Sequence, residues 1–257
     1  MVIMNDKILK YLNKIQEEKD VRILLACETG SRAWGFPSPD SDFDVRFIYR
    51  HNTDWYLSLN EQKDTIEMMF ENNEIDLSGW DLKKSLHLLW RSNPPLLERI
   101  QSPIIYIADE GFLNGMQGLA NITYSKIAAM HHYLSMAKKM FSEVKDNENV
   151  KLKKLFYALR TTIACQWIIE KDEMPPIVFQ IMLEQLDFEN HLKQKIFDLI
   201  ELKATKSESY IHKQEGELNL FIESTIEQAE QEANALPAAK GQIEDLNQFF
   251  RKMLYSR

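Results

Sequence analysis

The chain has 257 residues, 44% of them hydrophobic and 27% charged, a balance ordinary for a globular protein with one large core or two smaller ones. Its net charge of −8 and pI of about 5.4 argue against nonspecific nucleic-acid binding through backbone charge, while leaving room for a local basic groove. The N-terminal stretch lacks an apolar signal core, and no run approaches the roughly 18 apolar residues of a membrane span, so a cytoplasmic protein with no membrane partner is expected.

In chain order, Ile8, Leu12 and Ile15 recur at helical spacing within residues 5–18, an amphipathic helix. Val21–Cys27 is an apolar, branched run of buried-strand length, punctuated by Glu28-Thr29-Gly30-Ser31. Ser38–Ser41 reads as a turn, and Asp42–Tyr49 alternates polar and apolar residues like a half-buried strand. Residues 65–71 and 74–78 flank Asn72-Asn73, the signature of a hairpin turn. Asp81 is placed to cap a helix running to Arg91, with Leu82, Leu86 and Leu89 on one face and Asn93-Pro94-Pro95 as its stop. A short helix and a short apolar strand at 104–108 follow. From about residue 115 onward no strand is expected, and helical periods run through 117–144, 150–171, 176–186, 190–213, 217–235 and 242–255. Cys27 and Cys165 lie in separate apolar runs without CxxC spacing, which suits reduced core thiols. The expected fold class is α+β, with a small mixed-sheet domain over residues 1–114 followed by an all-helical C-terminal domain over 115–257.

The stretch that carries chemistry is GSRAWGFPSPDSDFDVRF, residues 30–47. On a strand, Asp42 and Asp44 project to one face while Phe43 and Val45 take the other. Two carboxylates that close repel unless a cation lies between them, and hard oxygen ligands of this kind suit Mg²⁺ or Mn²⁺. Asp76, on the polar face of a later strand, completes a three-carboxylate cluster if the two strands are neighbours. Gly30 permits close approach of backbone amides, Ser31 adds a hydroxyl and Arg32 a planar cation, together a candidate cradle for the outer phosphates of a nucleoside triphosphate. Arg46 shares the face of the aspartates, positioned to pair with a carboxylate or to touch phosphate. Trp34 and Phe36 are candidates for a base-stacking lip or for packing their loop against the core. No metalloprotease helix, nucleophile elbow or Walker loop is present in the sequence.

Gly30-Ser31, Asp42-Phe43-Asp44-Val45 and Asp76 resemble the defining motif of the DNA polymerase beta nucleotidyltransferase superfamily. The longer string GSRAWGFPSPDSDFDVRFIY is closer to one branch, the predicted nucleotidyltransferases described as RNA-ligase-associated. Further similarity extends through Trp55–Leu59, Ser92-Asn93-Pro94 and Lys154–Trp167, so the resemblance spans most of the chain. It implies a palm-like first domain and transfer of a nucleoside monophosphate from an NTP to an acceptor hydroxyl with release of pyrophosphate. It further implies that Asp42 and Asp44 bind both metals, and that Asp76 shares the catalytic metal and helps deprotonate the acceptor. The acceptor stays open between an RNA end, a small molecule and a protein hydroxyl, and a non-catalytic nucleotide-binding module is the competing reading.

In the helical half, Lys153, Tyr157 and Arg160 fall on one helix face, either to meet the triphosphate and base or as a solvated basic face. His132, Ser135 and Lys139 share another face, while adjacent His131 and His132 diverge too far to serve as a metal pair.

Overall fold

The structure, a computed structural model, describes residues 2–171, 173–238 and 241–255. The chain divides into two compact units: Met1–Ala33, Asp42–Tyr124 and Ala239–Arg257 form the first, and Trp34–Ser41 and Ser125–Ala238 the second. A single cut at residue 114 does not reproduce this division, because each unit takes its buried apolar side chains from separated stretches of chain.

The first unit opens with α1 (Val2–Lys19), whose Ile8, Leu12 and Ile15 are wholly buried, as their spacing predicts. Its sheet has five strands: β1 (Arg22–Glu28), β2 (Phe43–Arg50), β3 (Thr65–Phe70), β4 (Ile75–Asp81) and β5 (Ile105–Ala108), in the order β3-β4-β2-β1-β5. The β2–β4 pair is parallel and the other pairs are antiparallel. This arrangement is the mixed sheet expected for the first half. Alternation is clean in β4, where Ile75 and Leu77 join Val45, Phe47 and Tyr49 of β2 in a core closed by α1. The β3–β4 connection passes through Glu71, Asn72 and Asn73, all left-handed at φ of 52°, 54° and 73°, a conformation that asparagine tolerates better than most residues.

Helices of this unit are α2 (Gly30–Trp34), α3 (Thr53–Tyr56), α4 (Leu82–Trp90), α5 (Pro94–Arg99) and α6 (Glu110–Thr123). Asp81 caps α4 by accepting from the Lys83 amide at 2.7 Å. Asn93 both ends α4 and caps α5, with Pro94 at the first helical position where its missing N–H costs nothing.

The second unit is largely helical: α7 (Lys126–Ser142), α8 (Leu152–Glu170), α9 (Phe179–Gln185), α10 (Asn190–Ala204) and α11 (Gly216–Glu232). Two expectations fail here. The helix expected over 117–144 is two helices, broken at Tyr124-Ser125, where the Ser125 hydroxyl caps α7. Strands are present as well: β6 (Asn149–Lys151) and β7 (Ile211–Lys213) form an antiparallel ribbon, too short for alternation to reveal. The chain then returns to the first unit as α12 (Ile243–Tyr255), burying Leu246, Phe249 and Met253. Cys27 and Cys165 are free and buried. Among the described residues no helix is long and apolar enough to cross a membrane.

Candidate active site

The site is built at one end of the parallel β2–β4 pair. Their register places Asp44 directly opposite Asp76, which makes neighbours of two carboxylates on strands that are not consecutive in the chain. Arg46, one pleat further along β2, folds back onto both. Its Nη2 donates to Asp44 Oδ1 at 3.0 Å and to Asp76 Oδ2 at 2.8 Å, while Nη1 donates to the carbonyls of Asp76 at 3.0 Å and Val45 at 3.2 Å. All three side chains are partly buried, so this bridge is screened less than a surface pair.

Asp44 is held from behind by the end of β1. Glu28 Oε1 accepts from the Asp44 amide at 2.7 Å, and both the amide and the hydroxyl of Thr29 donate to the Asp44 carbonyl. Glu28 is fully buried, and its other carboxylate oxygen accepts from the Tyr106 hydroxyl at 2.5 Å. Burial pushes the Glu28 carboxyl up to about 7, the charge of Asp44 adds to the rise, and the hydrogen bonds from Tyr106 and the Asp44 amide oppose it.

Gly30 follows at φ +63°, and a Cβ built there would overlap Asp44 Oδ2. The missing side chain is therefore what gives that oxygen its room. Ser31 is buried in α2, and Arg32 Nε donates to the Asp42 carbonyl at 3.1 Å while its guanidinium lies 3.9 Å from the Phe43 ring centre. Gly30, Ser31, Arg32, Asp44 and Asp76 are thus gathered at one end of the sheet.

Asp44 and Asp76 are hard oxygen donors of the kind Mg²⁺ and Mn²⁺ take, and the pair fits a divalent cation by donor chemistry. The expected three-carboxylate cluster is a different matter. Among the described residues no three His, Cys, Asp or Glu side chains stand close enough to form a metal-binding group. Asp42 is exposed just ahead of β2, and the cation lying between the other two carboxylates is Arg46.

Residues 4–252 match the model of the RlaP family, the RNA repair pathway DNA polymerase beta family. The chain belongs to this family. It is also 38% identical over 237 residues to the uncharacterized protein YcgL of Bacillus subtilis (strain 168), covering 92% of this chain and 91% of that one. Among solved structures, a nucleotidyltransferase-like protein from Exiguobacterium sibiricum 255-15 aligns over 97% of this chain and 80% of its own, at 11% identity and a TM-score of 0.34, too loose a match to support a conclusion.

In this member of the RNA repair pathway DNA polymerase beta family, the residues singled out on α8 serve the Trp34–Ser41 segment, which belongs to the same unit. Arg160 is buried, with its guanidinium 4.4 Å from the Trp34 ring centre, and Tyr157 meets the same ring edge-on at 5.3 Å. Lys153 pairs with Glu208 at 2.5 Å, and Glu208 accepts from Ser41 at 2.8 Å. Lys203, also buried, donates to Ser38 at 3.0 Å. Phe36 is buried against Phe156 and Phe179, so the aromatic pair packs its loop into the helical core. Arg160 and Tyr157 are therefore not part of a solvated face. On α7, Ser135 and Lys139 are exposed and His132 is half-buried.

Glu28 and Tyr106 were missed as site-supporting residues. A glutamate closing an otherwise apolar strand was the available signal, since an ionisable group rarely ends a buried run without a partner.

Proposed function

We propose that this protein transfers a nucleoside monophosphate from an NTP to an acceptor hydroxyl and releases pyrophosphate, using Mg²⁺ or Mn²⁺. The observation that supports the reading best is the pairing of Asp44 with Asp76 in parallel register beside a left-handed Gly30. On this reading Gly30, Ser31 and Arg32 hold the outer phosphates, by close backbone approach, a hydroxyl and a planar cation respectively. Asp44 and Asp76 would hold the cation, and Asp42, exposed just ahead of β2, would add a carboxylate only if that segment moved toward them. Asp76 also accepts the proton of the attacking hydroxyl. As the acceptor oxygen bonds to the α-phosphorus, the bond from that phosphorus to the bridging oxygen breaks and pyrophosphate departs. The divalent cation supplies charge neutralisation at the attacking and leaving oxygens.

An RNA end is the proposed acceptor, supported by the family description, which names an RNA repair pathway. Lys153, Tyr157 and Arg160 are assigned a supporting role through the Trp34–Ser41 segment. A cytoplasmic setting accompanies this reading.

The test is pyrophosphate release from each of the four NTPs with Mg²⁺ or Mn²⁺, with and without RNA, using Asp44→Asn as control. Release that requires the metal, Asp44 and RNA is the expected outcome. Release independent of RNA redirects the search to a small-molecule or protein hydroxyl. Nucleotide binding without release under any condition points to a non-catalytic nucleotide-binding module.

A further inference from the structure

We propose that Arg46 is a resident cation of the site, exchanged for the divalent metal when metal binds. The inference rests on the proposed metal-dependent reading and adds a competitor built into the same strand as the ligand Asp44.

The argument begins with charge. Two carboxylates held abreast by a parallel register repel, and the strands cannot move apart without breaking the sheet. A positive group between them relieves that repulsion, and Arg46 Nη2 donates to both carboxylates. The other terminal nitrogen of Arg46 is anchored on two backbone carbonyls, those of Asp76 and Val45, so the head group is seated rather than draped over the surface. A divalent cation held by Asp44 Oδ1 and Asp76 Oδ2 would compete with Nη2 for the same two oxygens and would be repelled by the guanidinium charge.

The arrangement has two consequences. Without metal, Arg46 holds both aspartates aligned by a hydrogen bond to each. With metal, the gain from coordination is reduced by the charge-assisted hydrogen bonds that Arg46 gives up. Arg46 therefore weakens metal affinity while keeping the site preformed.

The experiment titrates wild type, Arg46→Gln and Arg46→Lys with Mn²⁺ alone and reads free Mn²⁺ by electron paramagnetic resonance, with Asp44→Asn marking binding at this site. Removal of the competing charge is expected to tighten Mn²⁺ binding by about tenfold or more in Arg46→Gln, with Arg46→Lys in between. Equal or weaker binding in Arg46→Gln overturns the exchange, as does Mn²⁺ uptake that survives Asp44→Asn unchanged. Should the Gln variant fail to fold, the side-chain Nε–H signal of Arg46 in wild type, assigned by its loss in Arg46→Lys, decides the matter. The signal shifts on Mg²⁺ addition if the guanidinium leaves, and an unmoved signal at saturating Mg²⁺ sinks the proposal. Metal-dependent pyrophosphate release with no effect of Arg46→Gln on Mn²⁺ affinity removes the exchange and leaves the function standing. Tightened Mn²⁺ binding without nucleotidyl transfer does the reverse.

Discussion

At the scale of single residues, the site rests on a few positions where one atom decides the chemistry. Asp44 accepts from Arg46 through one oxygen and turns the other toward Gly30, so exchanging the carboxylate for an amide removes charge with almost no change in volume. Asp44→Asn is expected to abolish transfer while circular dichroism and melting behaviour stay near wild type; near-normal pyrophosphate release would refute the assignment. Gly30 is constrained twice, by its left-handed backbone and by the Asp44 oxygen where a Cβ would stand. Gly30→Val should cost about 1–2 kcal/mol or more in urea unfolding from the backbone alone, and should lower NTP affinity in calorimetry. Unchanged affinity in that variant would exclude the phosphate cradle. Glu28 shows how support hides from sequence reading: it is buried behind Asp44, and only the fold reveals that its two oxygens serve the Asp44 amide and Tyr106. Arg46 was placed on the right face by strand alternation alone. Which anion it meets depends on the neighbouring strand.

At the scale of elements, caps and periodicity carried most of the prediction. Asp81 was recognised as the cap of α4, and it also accepts from the Tyr56 hydroxyl at 2.6 Å. Asp81→Ala should cost about 2 kcal/mol or more in urea melts, from the lost cap and an orphaned phenol. Asp81→Asn should cost less, since asparagine keeps the capping oxygen. Burial raises the Asp81 carboxyl above its ordinary value of 3.8, against the pull of its hydrogen bonds from Tyr56 and the α4 amides. The folded chain then holds that proton more tightly than the unfolded one. The Asp81 contribution is therefore greatest in acid and declines as pH rises through the raised value. Relative to Asp81→Asn, wild type should lose stability as pH is raised from below the carboxylate range toward neutrality, checked by urea melts across that range; a pH-independent difference would contradict the buried-charge account. Elements shorter than a period escaped notice. β6 and β7 have three residues each, too few to alternate, and the α6–α7 break rests on one serine within an otherwise continuous helical pattern.

At the scale of the whole molecule, the chain leaves the first unit after Ala33, returns at Asp42, leaves again after Tyr124 and returns at Ala239. The last return supplies α12, whose Leu246, Phe249 and Met253 are buried, with Phe249 stacked on Phe112 and Phe250 against Tyr56. Deleting residues 243–257 should remove on the order of 5 kcal/mol of apolar burial from the first unit, a large share of a domain's stability. Hydrogen exchange should then report lost protection in α6 and α4; protection at wild-type level would show that the helix is dispensable. The sequence by itself determined the first helix and the main strands of the first unit, the placing of Asp44 and Arg46 on one face of β2, the cap at Asp81 and the family resemblance, because these depend on residues a few positions apart. Tertiary structure alone decided that β2 lies parallel to β4 with Asp44 against Asp76, that Arg46 bridges them, that Glu28 backs them, and that Trp34–Ser41 packs among the helices. Those outcomes depend on which distant segments share a core, and local periodicity holds no information about a neighbour contributed from elsewhere in the chain.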